Sequence, residues 1–260
     1  MQTNHKKYIF CCEDSIDAIF TAIYKAWEYG TSCTDVRVDS NMNYSLFEDY
    51  INIEADISTA VKVATSIQRK LSDIIYNYVY NTCLSCEPDK ASIAYHFLQK
   101  AFKTGKNIIY NLNDDTVCQT FEISRKVNNE SHHTLEFCRF EELSNGVLFC
   151  RIDPRNNVLP IICPHFADRL HCENWVIYDV NRHTAALHTA YHGYIITNSL
   201  NPASVKEFLK PSKQESELQM LWKTFFNTIA IKERTNKSLQ RSLMPLRFRR
   251  FMSAENEDDR

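Results

Sequence analysis

Glycine is scarce in this chain, with four in 260 residues. Each has a local use: Gly30 and Gly105 stop helices, and Gly146 and Gly193 sit in hairpin turns, so none remains for a phosphate-cradling loop. Neither G-x-x-x-x-G-K nor G-x-G-x-x-G occurs, which argues against a Walker nucleotidase and a Rossmann dehydrogenase. H-E-x-x-H, G-x-S-x-G and C-x3-C-x2-C are also missing, so neither a zincin, a hydrolase elbow nor a radical-SAM cluster of the usual spacing is expected in this chain. Ten cysteines are present, but Cys11 and Cys12 are adjacent and Cys83-x2-Cys86 has no matching second pair. Free buried thiols of a reducing compartment fit that spacing better than a disulfide or metal framework. The pattern calls for no metal and no cofactor. No apolar run is long enough to span a bilayer, and the opening MQTNHKKYIF lacks a signal-peptide core. A cytoplasmic protein away from membranes is therefore expected. There is no repeat of fixed period and no linker rich in Gly, Pro or Ser.

What is present suits a packed globular protein: hydrophobic residues make up 44% of the chain and aromatics 12%, enough to bury a real core. Net charge is only −2, yet it is unevenly spread. Residues 13–60 hold ten acids against Lys25 and Arg37, and residues 232–251 hold seven bases against Glu233. The basic C-terminal end is suited to attracting phosphate, while the acidic stretch argues against a protein coated in nucleic acid.

Along the chain, Tyr8–Cys11 reads as a short strand. Asp14 or Ser15 then caps a helix with Ile16, Phe20, Ile23 and Trp27 at helical spacing, ended by Gly30. Residues 31–50 read as polar and irregular, and Tyr50–Ile53 as a strand. Helices follow at 57–71, 72–82, 89–102 and roughly 114–127. A second portion begins near Ser131, with strands at 138–143 and 147–152 around Asn145-Gly146 and a hairpin at 183–189 and 194–198. Ser212 and Glu215 make a capping box, and Leu218, Leu221, Trp222, Phe225 and Ile229 form a stripe expected to face the core. The expectation is an α+β protein: a helix-rich N-terminal portion, residues 1–130, with short strands, and a C-terminal antiparallel sheet with packed helices and a basic tail, residues 131–260.

The stretch from Val158 to Arg182 concentrates the polar chemistry. Pro164 fits the first position of a short helix in which Phe166 and Leu170 can point inward, and His165, Asp168 and Arg169 share another face. A strand holding Trp175 and Ile177 ends at Asp179, with Arg182 in the turn. One reading is an ion-paired cap holding a strand turn. The other is a site in which His165 acts as general base beside Asp179.

Several motifs resemble a bacterial family of proteins ascribed to DNA metabolism and repair. They are LP-x4-HF-x2-R and W-V-I-x-D-x2-R in this stretch; His132, Arg139 and Phe140 within HHTLEFCRFEEL; and Ile231, Glu233, Arg234, Asn236, Gln240, Met244, Pro245 and Arg247 near the end. Glu13-Asp14-Ser15 stands where the family has Asp-Gly-Ser, and Phe248-Arg249 where it has Tyr-Trp. The family carries a domain of unknown function, is associated with a partner radical-SAM protein, and is sometimes fused to uracil-DNA glycosylase-like domains. The resemblance implies a nucleic-acid-binding accessory acting on DNA with that partner. Arginine suits phosphate, and Asn and Gln suit base edges, so His132, Arg139, Arg169, Arg182, Arg234, Asn236, Gln240 and Arg247 are the expected binding residues. The alternatives are a base or backbone hydrolase or lyase using His165 and Asp179, and a non-catalytic protein-interaction module.

Overall fold

The computed structural model describes residues 7–30, 34–39, 45–198, 210–229, 231 and 236–249. Cα proximity divides the chain into two compact units, Met1–Asn129 and Glu130–Arg260. Helices and sheets are both present, as the α+β expectation requires.

The first unit is built on three parallel strands in the order β2-β1-β3: β1 Lys7–Cys12, β2 Thr34–Val38 and β3 Glu48–Ile53. Helix α1, Ile16–Tyr29, runs between β1 and β2, the crossover that parallel neighbours need. Ser15 caps it, its hydroxyl accepting from Ala18 N at 3.1 Å, and Gly30 leaves it at φ 123°, where a side chain is disfavoured. Asp56 and Ser72 similarly cap α2, Ile57–Lys70, and α3, Asp73–Leu84. Helix α4, Lys90–Thr104, stops at Gly105. Apolar residues from β1, β2 and α1–α4, with Phe20, Ile23, Ile67, Ile75, Tyr95 and Phe97 among them, make one buried core.

Two expectations change here. The stretch read as irregular contains β2. Its first residues, Thr34 and Asp35, are polar but buried, and tertiary partners satisfy them. Thr34 and Tyr95 share a hydroxyl hydrogen bond. Asp35 accepts from Lys7 Nζ at 3.3 Å and from Val36 N at 2.9 Å, and lies 3.5 Å from His96 Nε2. Burial raises the Asp35 carboxyl, but the hydrogen bonds of His96 and Ser92 and the Lys7 charge outweigh it and hold it well below the usual range. The helix expected at 114–127 is α5, Asp115–Phe137, and it runs on through His132 and His133.

The second unit centres on a five-stranded sheet in sequential order β4 to β8: Glu141–Glu142, Leu148–Ile152, Trp175–Asp179, Thr184–His188 and Tyr194–Thr197. It is mixed, not wholly antiparallel, because β5 and β6 run parallel. Helix α6, Leu159–Arg169, lies between them in the chain and supplies the crossover. It begins five residues before Pro164. Pro160 takes the first turn, and Pro164 lies inside the helix. Cys150, Leu159, Ile162, Cys163, Phe166, Trp175 and Ile177 form the core. Trp175 is fully buried and stacks on His188 with ring centroids 4.9 Å apart.

Helix α7, Lys213–Ile229, begins with half of the expected capping box: Glu215 N donates to Ser212 Oγ at 3.0 Å. The Glu215 carboxylate turns instead to accept from Glu142 N at 3.3 Å, and Ser212 N donates to Glu142 O at 2.9 Å. The start of α7 is thereby tied to the sheet edge. Its apolar stripe does not enter a core. Leu218 is 62% exposed, Leu221 64%, Trp222 53%, Phe225 53% and Ile229 56%. Helical spacing gives the stripe but not what lies opposite it. Two short helices follow, α8 Lys237–Leu243 and α9 Leu246–Arg249. Among the described residues no helix is long and apolar enough to cross a membrane.

Candidate nucleic-acid interface

In the second unit a group of arginines and aromatic rings lies beside Glu130, which Arg247 reaches. That carboxylate is 3% exposed. It accepts from Asn156 N at 2.8 Å, Asn156 Nδ2 at 2.6 Å, Arg155 N at 3.1 Å and Arg247 Nη1 at 3.1 Å. A buried carboxylate is tolerable only with such a complete donor set. It fixes Arg247, whose guanidinium lies 4.5 Å over the Phe248 ring.

Phe248 in turn meets the last turns of α5. Its ring lies 5.4 Å from Phe137 and 5.6 Å from His133. His133 and Phe137, four residues apart, share a helix face with nearly parallel rings 6.1 Å apart. The His133 side chain remains 41% exposed. Arg139 caps the end of α5, donating to Glu136 O at 3.0 Å and Cys138 O at 2.9 Å. Arg151 of β5 lies 3.6 Å from Glu141. Arg139, Arg151 and Arg247 line one small cavity with Phe137, Phe248 and Asp153. At about 30 Å³ it has room for a few waters at most. The arrangement is therefore a surface on which a flat group can stack beside arginines, not a pocket that engulfs one. Glu136, Glu141 and Asp153 moderate its positive charge.

Asp179 and Arg182 do not belong to this surface; they hold the loop beside it. Asp179 is 0% exposed at the end of β6. Its carboxylate accepts from Asn181 N at 2.9 Å, Arg182 N at 3.2 Å and Arg182 Nη1 at 3.1 Å. Burial raises this carboxyl, and the Arg182 charge and hydrogen bonds only partly offset that. Arg182 also donates to Pro154 O at 3.2 Å and to Arg155 O, and Asn181 Nδ2 to Pro154 O at 3.0 Å. The loop 154–156 is thus gripped by the β6–β7 turn on one side and by Glu130 on the other.

The remaining expected residues scatter. His165 and Arg169 are exposed on α6, with the His165 ring against Phe166, and among the described residues no hydrogen bond or ion pair joins His165 to Asp179. His132 is exposed on α5. Asn236 caps α8, accepting from Leu239 N at 3.0 Å, and Gln240 is exposed within it. Arg234 lies outside the described residues. Sequence reasoning passed over Glu130, His133, Phe137 and Arg151. An arginine flanked by apolar strand residues was a signal for Arg151. The four-residue spacing of His133 and Phe137 was hidden by reading that stretch as the approach to a strand. No group of three or more His, Cys, Asp or Glu suited to a metal occurs among the described residues.

A family model described as a domain of unknown function, DUF4130, matches residues 88–254, more than half of the 260-residue chain. No curated protein and no solved structure matches the chain.

Proposed function

We propose a role for this chain from one premise: it belongs to the DUF4130 family. The role is that of a nucleic-acid-binding accessory in DNA metabolism or repair, acting with a radical-SAM partner protein. The observation that supports it is the Arg139–Arg151–Arg247 group beside the His133–Phe137–Phe248 rings. Arginines take phosphate and aromatic faces take unstacked bases, and this pairing is how sequence-tolerant single-strand binders work. With three arginines and three nearby acids, electrostatics alone gives modest affinity, so stacking carries much of the binding. Single strands, whose bases are free to stack, are favoured over duplex. Fluorescence anisotropy with single-stranded, duplex and lesion-containing oligonucleotides at low salt tests this. Single-strand binding that exceeds duplex binding is expected, and no binding to any of them overturns it.

The exposed α7 face favours a second reading, a protein-interaction module. Trp222→Asp with Phe225→Asp should abolish co-purification with the radical-SAM partner while leaving oligonucleotide binding intact. Undiminished co-purification removes this reading.

A further inference from the structure

In the first unit, α1, α2 and α4 leave a cavity of about 470 Å³ between them, within the range of small-molecule sites, roughly 300–1,000 Å³. Its floor is aromatic and apolar: Trp27 meets Phe102 edge-on at 4.9 Å, with Tyr24 and Val63 beside them. Its rim is cationic. Lys62, Ser66 and Lys70 recur every four residues along α2, so they line one side of the opening. Both lysines are exposed, and neither forms an ion pair among the described residues. Glu28 feels the Lys62 charge, but its carboxylate is engaged at contact distance by Lys25 at 2.9 Å, and a hydrogen bond from Tyr24 further occupies it.

We propose that this cavity binds a small aromatic anion: a flat ring system lying against Trp27 and Phe102, with its acid group held by Lys62 and Lys70. Three properties converge on that class. Edge-to-face aromatic walls select a planar apolar body. Ammonium groups at the mouth of an apolar cavity select an anion at one end of that body, and flexible lysine stems let both approach one acid group. A neutral apolar ligand would leave the lysines idle, and a bare inorganic anion would leave the aromatic floor wet. Trp27, Lys62 and Lys70 also fall outside the family match at 88–254, so the family assignment does not account for them.

The test uses the full chain and two fluorescent probes of like ring system, 8-anilinonaphthalene-1-sulfonate and neutral N-phenyl-1-naphthylamine. The sulfonate should bind one site per chain. Lys62→Gln with Lys70→Gln should weaken the sulfonate about tenfold and the neutral probe much less, as expected when two charges near an apolar site are removed. Trp27→Leu should weaken both probes, and Trp222→Asp on α7 neither. 1-Naphthoate and 1-naphthyl phosphate should displace the sulfonate, and whichever does so at lower concentration identifies the acid. The proposal is overturned if the lysine variants bind the sulfonate as wild type does, or if Trp222→Asp abolishes the signal. If Trp27→Leu unfolds, the exposed lysine variants alone decide.

Discussion

Replacing Glu130 tests the packing on which the arginine surface rests. In Glu130→Ala the Asn156 N–H and the Asn156 side chain lose their acceptor in a buried place, at about 1–3 kcal/mol for each donor left without one; the N–H of exposed Arg155 loses a partly buried bond and costs less, because water can replace it. The Arg247 bond adds little, because that side chain is 39% exposed, and exposed pairs contribute about 0–1 kcal/mol. Relaxation and entering water recover part of the loss, leaving about 3 kcal/mol. With a urea slope of about 2 kcal/mol/M, the midpoint for the second unit falls by roughly 1.5 M. Glu130→Gln keeps one acceptor oxygen for Asn156 but turns an NH2 toward the other donors, so about half that loss is expected. Urea unfolding read by circular dichroism, with hydrogen exchange at residues 154–156, measures both. A loss below about 1 kcal/mol in Glu130→Ala, with unchanged exchange in the loop, refutes the reasoning.

The turn at Asp179 gives an asymmetric pair. Arg182→Gln leaves a fully buried carboxylate without its charge partner and should cost about 3 kcal/mol or more. Asp179→Asn removes the buried charge itself, keeps an acceptor for Asn181 N and should cost less. The opposite order in thermal denaturation contradicts this account. The Asp35–His96 pair sets a pH window. The Asp35 hydrogen bond raises His96, so its contribution is full below the ordinary histidine range and is lost as pH rises through the raised value. Asp35 is depressed, so its contribution is present above the ordinary aspartate range and is lost only in strong acid. His96→Gln should flatten the stability profile from the ordinary histidine range upward, and an unchanged profile counts against the pair. Burial pushes Cys12, Cys83 and Cys163 to about 12, and the Cys150 contact with burial raises Cys138. Since the thiolate is the nucleophile, iodoacetamide at pH 8 should label exposed Cys86 and Cys172 well before these four, as peptide mass spectrometry would read; equal labelling refutes it.

The sequence made some elements plain and hid others for physical reasons. Helices α1 to α4 were legible because Ser15, Asp56 and Ser72 cap the first three and Gly30 and Gly105 end α1 and α4, all local signals. Strand β2 was not, because Thr34 and Asp35 are buried polar residues whose partners come from α4 and β1. The parallel β5–β6 pair depends on where α6 returns the chain, which periodicity does not encode. The α7 stripe shows the limit of amphipathicity: the face was found, but its burial depends on a neighbour. At the candidate surface, Arg139 and Arg247 stood out through the family resemblance. The ring cluster needed α9 to meet α5. Asp179 and Arg182 form an ion-paired strand turn, but the helix-cap half of that reading is not seen: α6 has no side-chain cap hydrogen bond.

The most direct measurement of the central claim is the salt dependence of single-stranded DNA binding. Three arginine–phosphate contacts predict a log–log slope of about −2, at roughly 0.7 per contact for single strands. Arg139→Gln, Arg151→Gln and Arg247→Gln combined should bring it near zero. Phe248→Ala should lower affinity about tenfold or more with the slope unchanged, the mark of lost stacking. A slope and affinity that all these variants leave untouched would contradict the claim that this surface holds nucleic acid.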